Sequence, residues 1–178
     1  MALAIAAAAP ERLAGVMFND IGPVIEPLGL ERIAAYLGLP PPYPDLDAAA
    51  RAYEAGAQDQ FPGVTAARWR VHLARIWRET PEGLALRYDP ALRTPFLASM
   101  QEGAMPDLWP LFDALPAVPL ALLRGANSDL LSAATVAEMQ ARRPDLVVTE
   151  VADRGHVPFL DEPESVAAIA AFLARVAP

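Results

Sequence analysis

The sequence predicts an α/β fold built on a parallel sheet, and the prediction rests on its apolar pattern. Three short apolar runs, at residues 13–18, 118–123 and Leu146–Val151, have the length of strands. The first two show no polar alternation, which is typical of strands buried on both faces of a parallel sheet. Helical segments flank or separate these runs, as expected for an α/β protein.

The predicted helices have recognisable ends. The alanine-rich segment 2–9 favours a helix that stops at Pro10. Ser132 is placed as the N-cap of a helix over 132–143 that connects the second and third strands. Pro163 suits the first position of a final amphipathic helix. A doubly wound domain normally opens with a strand rather than a helix, so we expect further sequence upstream of Met1.

A long insertion interrupts the α/β pattern. Residues 28–115 contain helical segments that we place at 28–37, 46–57, 66–79 and 108–115. The predicted organisation is therefore an α/β core made of residues 1–27 and 116–178, with the inserted helices between its two parts.

Composition excludes several classes of function. The net charge is −8 with acids and bases interspersed, so neither a nucleic acid nor a membrane surface is an expected partner. The chain has no cysteine, which excludes disulfides, thiolate catalysis and cysteine-based metal sites. Its two histidines are too few for a histidine-rich metal site. No basic region precedes the apolar opening residues, so we expect a cytoplasmic protein.

Two polar residues follow the second and third predicted strands. Asp129 lies in the turn after residues 118–123, and His156 lies in the loop after Leu146–Val151. The carboxyl ends of parallel strands share one edge of the sheet, where open α/β sheets place their ligands. A carboxylate there can orient an imidazole as a general base. Taken singly, each is more simply explained as an ordinary loop residue, and the case rests on the two together.

Asp20 is the alternative acid. It follows the first predicted strand and therefore reaches the same sheet edge. Its simpler interpretation is a residue that braces its own turn by accepting backbone hydrogen bonds. We favour Asp129 over Asp20 as the partner of His156. The other histidine, His72, is predicted to be a solvated residue of an inserted helix.

Three segments resemble the α/β-hydrolase superfamily, of the serine hydrolase or esterase type. Residues 122–129 look like its acid loop, and Gly155-His156-Val157-Pro158 with Glu162-Pro163 resembles its histidine loop and final helix. Residues 10–23 resemble the strand that precedes its helical cap. The resemblance implies a partial α/β-hydrolase fold with a parallel sheet remnant, a helical cap at 28–115, and Asp129 and His156 as the acid and histidine of a catalytic triad.

The nucleophile of that family is a serine in a Gly-x-Ser-x-Gly turn, and the chain contains no such turn. Its four serines are Ser99, Ser128, Ser132 and Ser165. We therefore expect the C-terminal portion of a hydrolase that acts on an ester or related acyl bond, without metal or organic cofactor, and inactive alone. The alternative is a truncated, non-catalytic product that acts at most as a binding or assembly module.

The expected partners follow from the same resemblance. The substrate would be a small-molecule ester or acyl compound. The first predicted strand, at 13–18, would leave a bare apolar edge on the sheet. We therefore expect self-association, or complementation by a separate chain that carries the first strands and the serine.

Overall fold

The computed structural model describes residues 2–101 and 106–176. In that part of the chain, no helix is both long and apolar enough to cross a membrane. The elements, in chain order, are α1 (Ala2–Ala8), β1 (Val16–Asn19), α2 (Pro27–Tyr36), α3 (Leu46–Gly56), α4 (Ala66–Ile76), β2 (Trp77–Thr80), β3 (Gly83–Leu86), α5 (Arg93–Gln101), α6 (Trp109–Asp113), β4 (Leu120–Gly125), α7 (Ala133–Arg142), β5 (Leu146–Val151) and α8 (Pro163–Val176).

The predicted parallel sheet is confirmed. β1, β4 and β5 form a three-stranded sheet in the order β1-β4-β5, and both pairings are parallel. Val16 pairs with Leu120, and Leu120 pairs with Leu146, so the three strands start in line. All six residues of β4 are buried, because the central strand is covered on both faces. The carboxyl ends of the strands thus share one edge.

The first two strands begin later than the apolar runs that predict them. β1 starts at Val16 and β4 at Leu120, whereas the runs begin at residues 13 and 118. Leu13 and Val118 are partly buried and pack against the core without joining the sheet. Apolar character reports burial, and burial extends beyond the ladder of hydrogen bonds.

Two predicted helix starts are confirmed. The Ser132 hydroxyl accepts a hydrogen bond from the Thr135 backbone N–H at 3.2 Å and caps α7. α8 begins at Pro163, whose missing N–H costs nothing at the first position of a helix. These two helices follow β4 and β5, so each loop at the sheet edge is bounded by a strand and a helix.

The chain divides into two compact units. The sheet unit comprises Met1–Pro27 and Pro106–Pro178, and the helical unit comprises Leu28–Met105. The sequence assigns α6 to the insertion, whereas the structure places it in the sheet unit. Phe112 of α6 is completely buried in the core of that unit, with its ring centroid 6.0 Å from that of Phe18.

The helical unit contains a hairpin that the sequence interpretation missed. Helix α4 ends at Ile76 and not at residue 79. The next residue, Trp77, is the first of β2, which pairs antiparallel with β3. The connection runs through Gly83 at φ +121°, and the Thr80 hydroxyl donates to the Gly83 carbonyl at 2.9 Å. The Pro-Glu-Gly sequence at 81–83 is the turn signal that could have identified it.

Aromatic rings form the core of the helical unit. Tyr53 lies 4.9 Å from Trp69 and 5.9 Å from Trp77 between ring centroids, and Phe61 packs edge-on against Trp69. Burial, with the neighbouring tyrosines, raises the pKa of Tyr53 to about 12. These rings therefore stabilise the unit as packed, neutral groups.

Replacing Leu122 with alanine is expected to lower the free energy of unfolding by about 2–5 kcal/mol, because the side chain is 1% exposed at the centre of β4. Urea unfolding followed by circular dichroism measures the loss. Val147→Ala on β5 is the control, since Val147 is 51% exposed and should cost at most about 1 kcal/mol. Equal losses at the two positions would contradict the burial of β4.

Candidate active site

The structure brings Asp20 and His156 together at the carboxyl edge of the sheet. Asp20 Oδ2 lies 2.8 Å from His156 Nδ1, the separation of a charge-assisted hydrogen bond. The Asp20 side chain is completely buried, whereas the His156 side chain is 23% exposed. A buried acid therefore faces one nitrogen of an imidazole that remains partly accessible.

The position of Asp20 is set by the end of β1. Its backbone N–H donates to the Leu123 carbonyl at 2.7 Å, which continues the pairing of β1 with β4. Its φ is then +53°, in the left-handed region that non-glycine residues rarely adopt, although Asp tolerates it better than most. The Gly125 N–H donates to Asp20 Oδ1 at 2.9 Å and holds the carboxylate over the end of β4.

The favoured acid, Asp129, does not take the place beside Nδ1 that the sequence analysis gave it. That place belongs to Asp20, the alternative acid. In the turn after β4, the residue before Asp129 is Ser128, which donates its hydroxyl to Asp20 Oδ2 at 2.7 Å. Asp20 is fully buried, whereas Asp129 is only partly buried. The geometry thus favours Asp20 over Asp129 as the acid that faces His156.

Ser128 belongs to the environment of the acid. Its Oγ donates to Asp20 Oδ2, the same oxygen that faces His156. The same Oγ accepts hydrogen bonds from the backbone N–H groups of Leu130 and Leu131, at 3.2 and 3.1 Å. Its donor and its acceptor capacity are both used, so the hydroxyl orients the carboxylate and shapes the turn.

The loops that follow β4 and β5 are joined through their backbones. Asn127 N–H donates to the Arg154 carbonyl at 2.8 Å, and Ala126 N–H donates to the Val151 carbonyl at 2.9 Å. A Cβ on Gly125 would lie 2.5 Å from the carbonyl oxygens of both Arg154 and Gly155. The glycine is therefore required for the close approach of the two loops.

Arg124 closes the turn after β4 from its own strand. Its guanidinium donates to the Leu131 carbonyl at 3.0 Å and to the Ala126 carbonyl at 3.4 Å, and pairs with Glu150 at 2.8 Å. Sequence reasoning missed this role, although a basic residue at the end of an otherwise apolar strand is a signal for a buried polar contact.

Glu162 organises the loop that carries His156. Its Oε1 accepts from Arg154 Nε at 2.8 Å and from the Phe159 N–H at 3.0 Å, and its Oε2 accepts from the Leu160 N–H at 3.0 Å and the Ser165 hydroxyl at 2.9 Å. Burial by itself raises the pKa of the Glu162 carboxyl, but the backbone N–H groups, Arg154 and Ser165 outweigh it and hold the pKa below its ordinary value. The carboxylate is thus stabilised in its charged form.

The arrangement can perform general acid–base chemistry. A carboxylate can only accept a hydrogen bond, so Asp20 fixes the proton of a neutral His156 on Nδ1. Nε2 then carries the lone pair and can remove a proton from a hydroxyl. Among the described residues, no group of three or more His, Asp or Glu side chains could hold a metal ion.

Comparison with known proteins identifies the family of this fold. The model of the α/β hydrolase family matches residues 1–169, nearly the whole chain. The chain belongs to the α/β hydrolase family. A crystal structure of an α/β hydrolase from Novosphingobium aromaticivorans is 42% identical, with a TM-score of 0.85, and is matched over 97% of this chain and 61% of that one.

Two further relatives lie in the same family of folds. The 3-hydroxybutyrate-oligomer hydrolase of Cupriavidus necator is 38% identical over 159 residues, which are 85% of this chain and 54% of that protein. An esterase from Mycobacterium tuberculosis is 25% identical with a TM-score of 0.62, matched over 97% of this chain and 56% of its own. The chain therefore spans between half and two thirds of the length of these relatives.

Asp20→Asn is expected to abolish the hydrogen-bonded Nδ1–H proton signal of His156 in the NMR spectrum, because the charged acceptor is lost. Asp129→Asn is the matched control and should leave that signal in place. The protein has only two histidines, so a His72→Gln background makes His156 the sole reporter. Loss of the signal in Asp129→Asn alone would return the acid role to Asp129.

Glu162→Gln is expected to reduce stability more at neutral than at acid pH. Because the folded-state pKa of Glu162 is lowered, its charged form stabilises the fold above the ordinary pKa of a glutamate, and the contribution disappears as the pH falls through the folded-state pKa. Urea unfolding at pH 7 and pH 3 measures the difference. Leu122→Ala, which changes no charge, is the control and should cost the same at both values of pH.

Proposed function

We propose that this chain supplies the general base and the orienting acid of an α/β hydrolase that cleaves an ester or related acyl bond. The observation that carries the proposal is the 2.8 Å contact between Asp20 Oδ2 and His156 Nδ1 at the carboxyl edge of the sheet. Two relatives support the bond type, since one is an esterase and another is named for the hydrolysis of 3-hydroxybutyrate oligomers.

The proposed mechanism is acyl transfer. A serine hydroxyl attacks the substrate carbonyl carbon while His156 Nε2 removes the hydroxyl proton, and Asp20 stabilises the imidazolium that forms. His156 then returns the proton to the leaving alcohol oxygen as the carbonyl–oxygen bond breaks. Water, activated by the same imidazole, attacks the acyl-enzyme and releases the acid and the serine.

The serine of this mechanism is not among the serines of the chain. Ser128 is engaged with Asp20 on the Nδ1 side of the imidazole, and Ser132 and Ser165 bond at helix starts. The remaining serine, Ser99, lies in α5 of the helical unit and donates to the Phe96 carbonyl. We therefore propose that the nucleophile and the groups that stabilise the oxyanion belong to sequence outside these 178 residues.

The 178-residue chain alone is expected to show no measurable hydrolysis of a p-nitrophenyl ester, because loss of the triad serine costs on the order of 10⁶ in turnover. The same chain extended at its N-terminus by the Gly-x-Ser-x-Gly half of an α/β hydrolase should hydrolyse p-nitrophenyl esters or a linear dimer of 3-hydroxybutyrate. His156→Ala and Asp20→Asn should each abolish that activity, whereas Asp129→Asn should retain most of it. Strong hydrolysis by the unextended chain, lost in His156→Ala, would refute the assignment of the nucleophile.

A second candidate function is an assembly module, and the edge of the sheet favours it. In the described part of the chain, β1 pairs with β4 on one side and with no strand on the other. An unpaired strand edge is a template for pairing with another chain. This role needs no nucleophile, and it is compatible with complementation by a chain that carries the serine.

The isolated chain is therefore expected to self-associate, because the open edge of β1 can pair with a second copy. Light scattering across a range of protein concentrations should show a mass above 19.0 kDa that rises with concentration. A monodisperse monomer with a sharp thermal transition would contradict the prediction.

A further inference from the structure

The loop that carries His156 is called the histidine loop and comprises residues 153–160. Its backbone has an unfavourable conformation at both ends. Asp153 has φ +57° and Leu160 has φ +67°, both in the left-handed region. Such conformations are unfavourable in non-glycine residues and persist only where the surroundings enforce them. Leucine has no short polar side chain to offset that cost locally, so other groups must hold Leu160.

Arg154 and Glu162 hold both ends of this loop. Glu162 Oε2 accepts from the Leu160 N–H at 3.0 Å, at the left-handed residue itself. Arg154 Nη1 donates to the Asp153 carbonyl at 2.6 Å, at the other left-handed residue. The two side chains pair with each other at 2.8 Å, so one ion pair ties together the two strained points on either side of His156.

The pair also links the histidine loop to the neighbouring elements. The Arg154 carbonyl accepts from the Asn127 N–H in the turn after β4, and the Arg154 guanidinium lies 5.6 Å from the centre of the Phe159 ring. Glu162 accepts from Ser165 in the first turn of α8. The backbone of Arg154 thus joins the loop to the turn after β4, and the Glu162 carboxylate joins it to the final helix.

Burial makes this ion pair expensive as a source of stability. The side chains of Arg154 and Glu162 are 10% and 4% exposed, and desolvation of two charges can cancel their attraction. Apolar side chains of similar volume would fill the same space at no greater cost, but they could not hold the Asp153 carbonyl and the Leu160 N–H. The hydrogen bonds to the loop are therefore what the charges specifically provide.

We propose that Arg154 and Glu162 are positioning residues that shape the histidine loop so that His156 Nδ1 meets Asp20. They act through the backbone on either side of the imidazole, at the Asp153 carbonyl and the Leu160 N–H. The inference rests on the proposed function only in giving the Asp20–His156 contact its catalytic purpose.

The test follows His156 directly in the full 178-residue chain, in the His72→Gln background. Long-range ¹H–¹⁵N NMR of the imidazole distinguishes the Nδ1–H tautomer held by Asp20 from that of a freely exchanging histidine. Glu162→Gln preserves shape but cannot accept four hydrogen bonds and carries no charge. Glu164→Gln is the matched control two residues away in the first turn of α8, and Arg143→Met removes an arginine that bridges Asp145 and the Leu115 carbonyl away from the loop.

In Glu162→Gln we expect loss of the hydrogen-bonded Nδ1–H signal and ¹⁵N shifts that approach those of free histidine, while the amide signals of β4 stay in place. Both controls should keep the His156 pattern of the parent chain. If Glu162→Gln does not fold, Arg154→Lys replaces it, because one ammonium group cannot serve Glu162 and the Asp153 carbonyl in the same geometry. A folded variant at either position with an unchanged imidazole pattern would overturn the proposal.

The result is independent of hydrolysis. Failure of the proposed function would appear as an inactive extended chain with a normal His156 pattern. Failure of the positioning role would appear as an unchanged His156 pattern in the variants, whatever the activity.

Discussion

The carboxylate of Asp20 is the point on which the whole site depends. It is fully buried at the end of β1 and accepts hydrogen bonds from a backbone N–H, a serine hydroxyl and the imidazole of His156. A buried carboxylate is tolerated only where such donors replace its lost hydration. The turns after β4 and β5 must therefore bring their donors to this one residue. The parallel sheet makes this feasible because it ends the three strands at a common edge.

Two arginines stabilise these turns through hydrogen bonds to backbone carbonyls. Arg124 bonds to carbonyls of the turn after β4 and pairs with Glu150, whose side chain is 60% exposed, so that ion pair itself contributes little. Arg154 pairs with the buried Glu162 and bonds to the histidine loop. In both cases the guanidinium offers several donors in a fixed plane, which suits it to holding backbone carbonyls in an irregular segment.

Much of the fold could be predicted from local pattern. Short apolar runs identified the three strands of the sheet, and Ser132 and Pro163 marked the starts of α7 and α8. The β2–β3 hairpin was missed because the helical pattern of α4 runs into Trp77 without an obvious break, and strand pairing with Leu86 decided the outcome. Helix α6 was assigned to the insertion because a helical sequence pattern does not indicate which surface Phe112 packs against.

The sequence by itself determined that an acid and His156 would meet at the carboxyl edge of a parallel sheet, because strand order along the chain and polar residues after each strand are local information. Only the tertiary structure shows which of the two acids lies beside His156. Asp20 and Asp129 both follow apolar strands, and spacing does not separate them. Asp20 lies beside His156 because its left-handed backbone and the N–H of Gly125 direct its carboxylate across the end of β4. Those contacts join residues more than 100 positions apart, beyond the reach of local pattern.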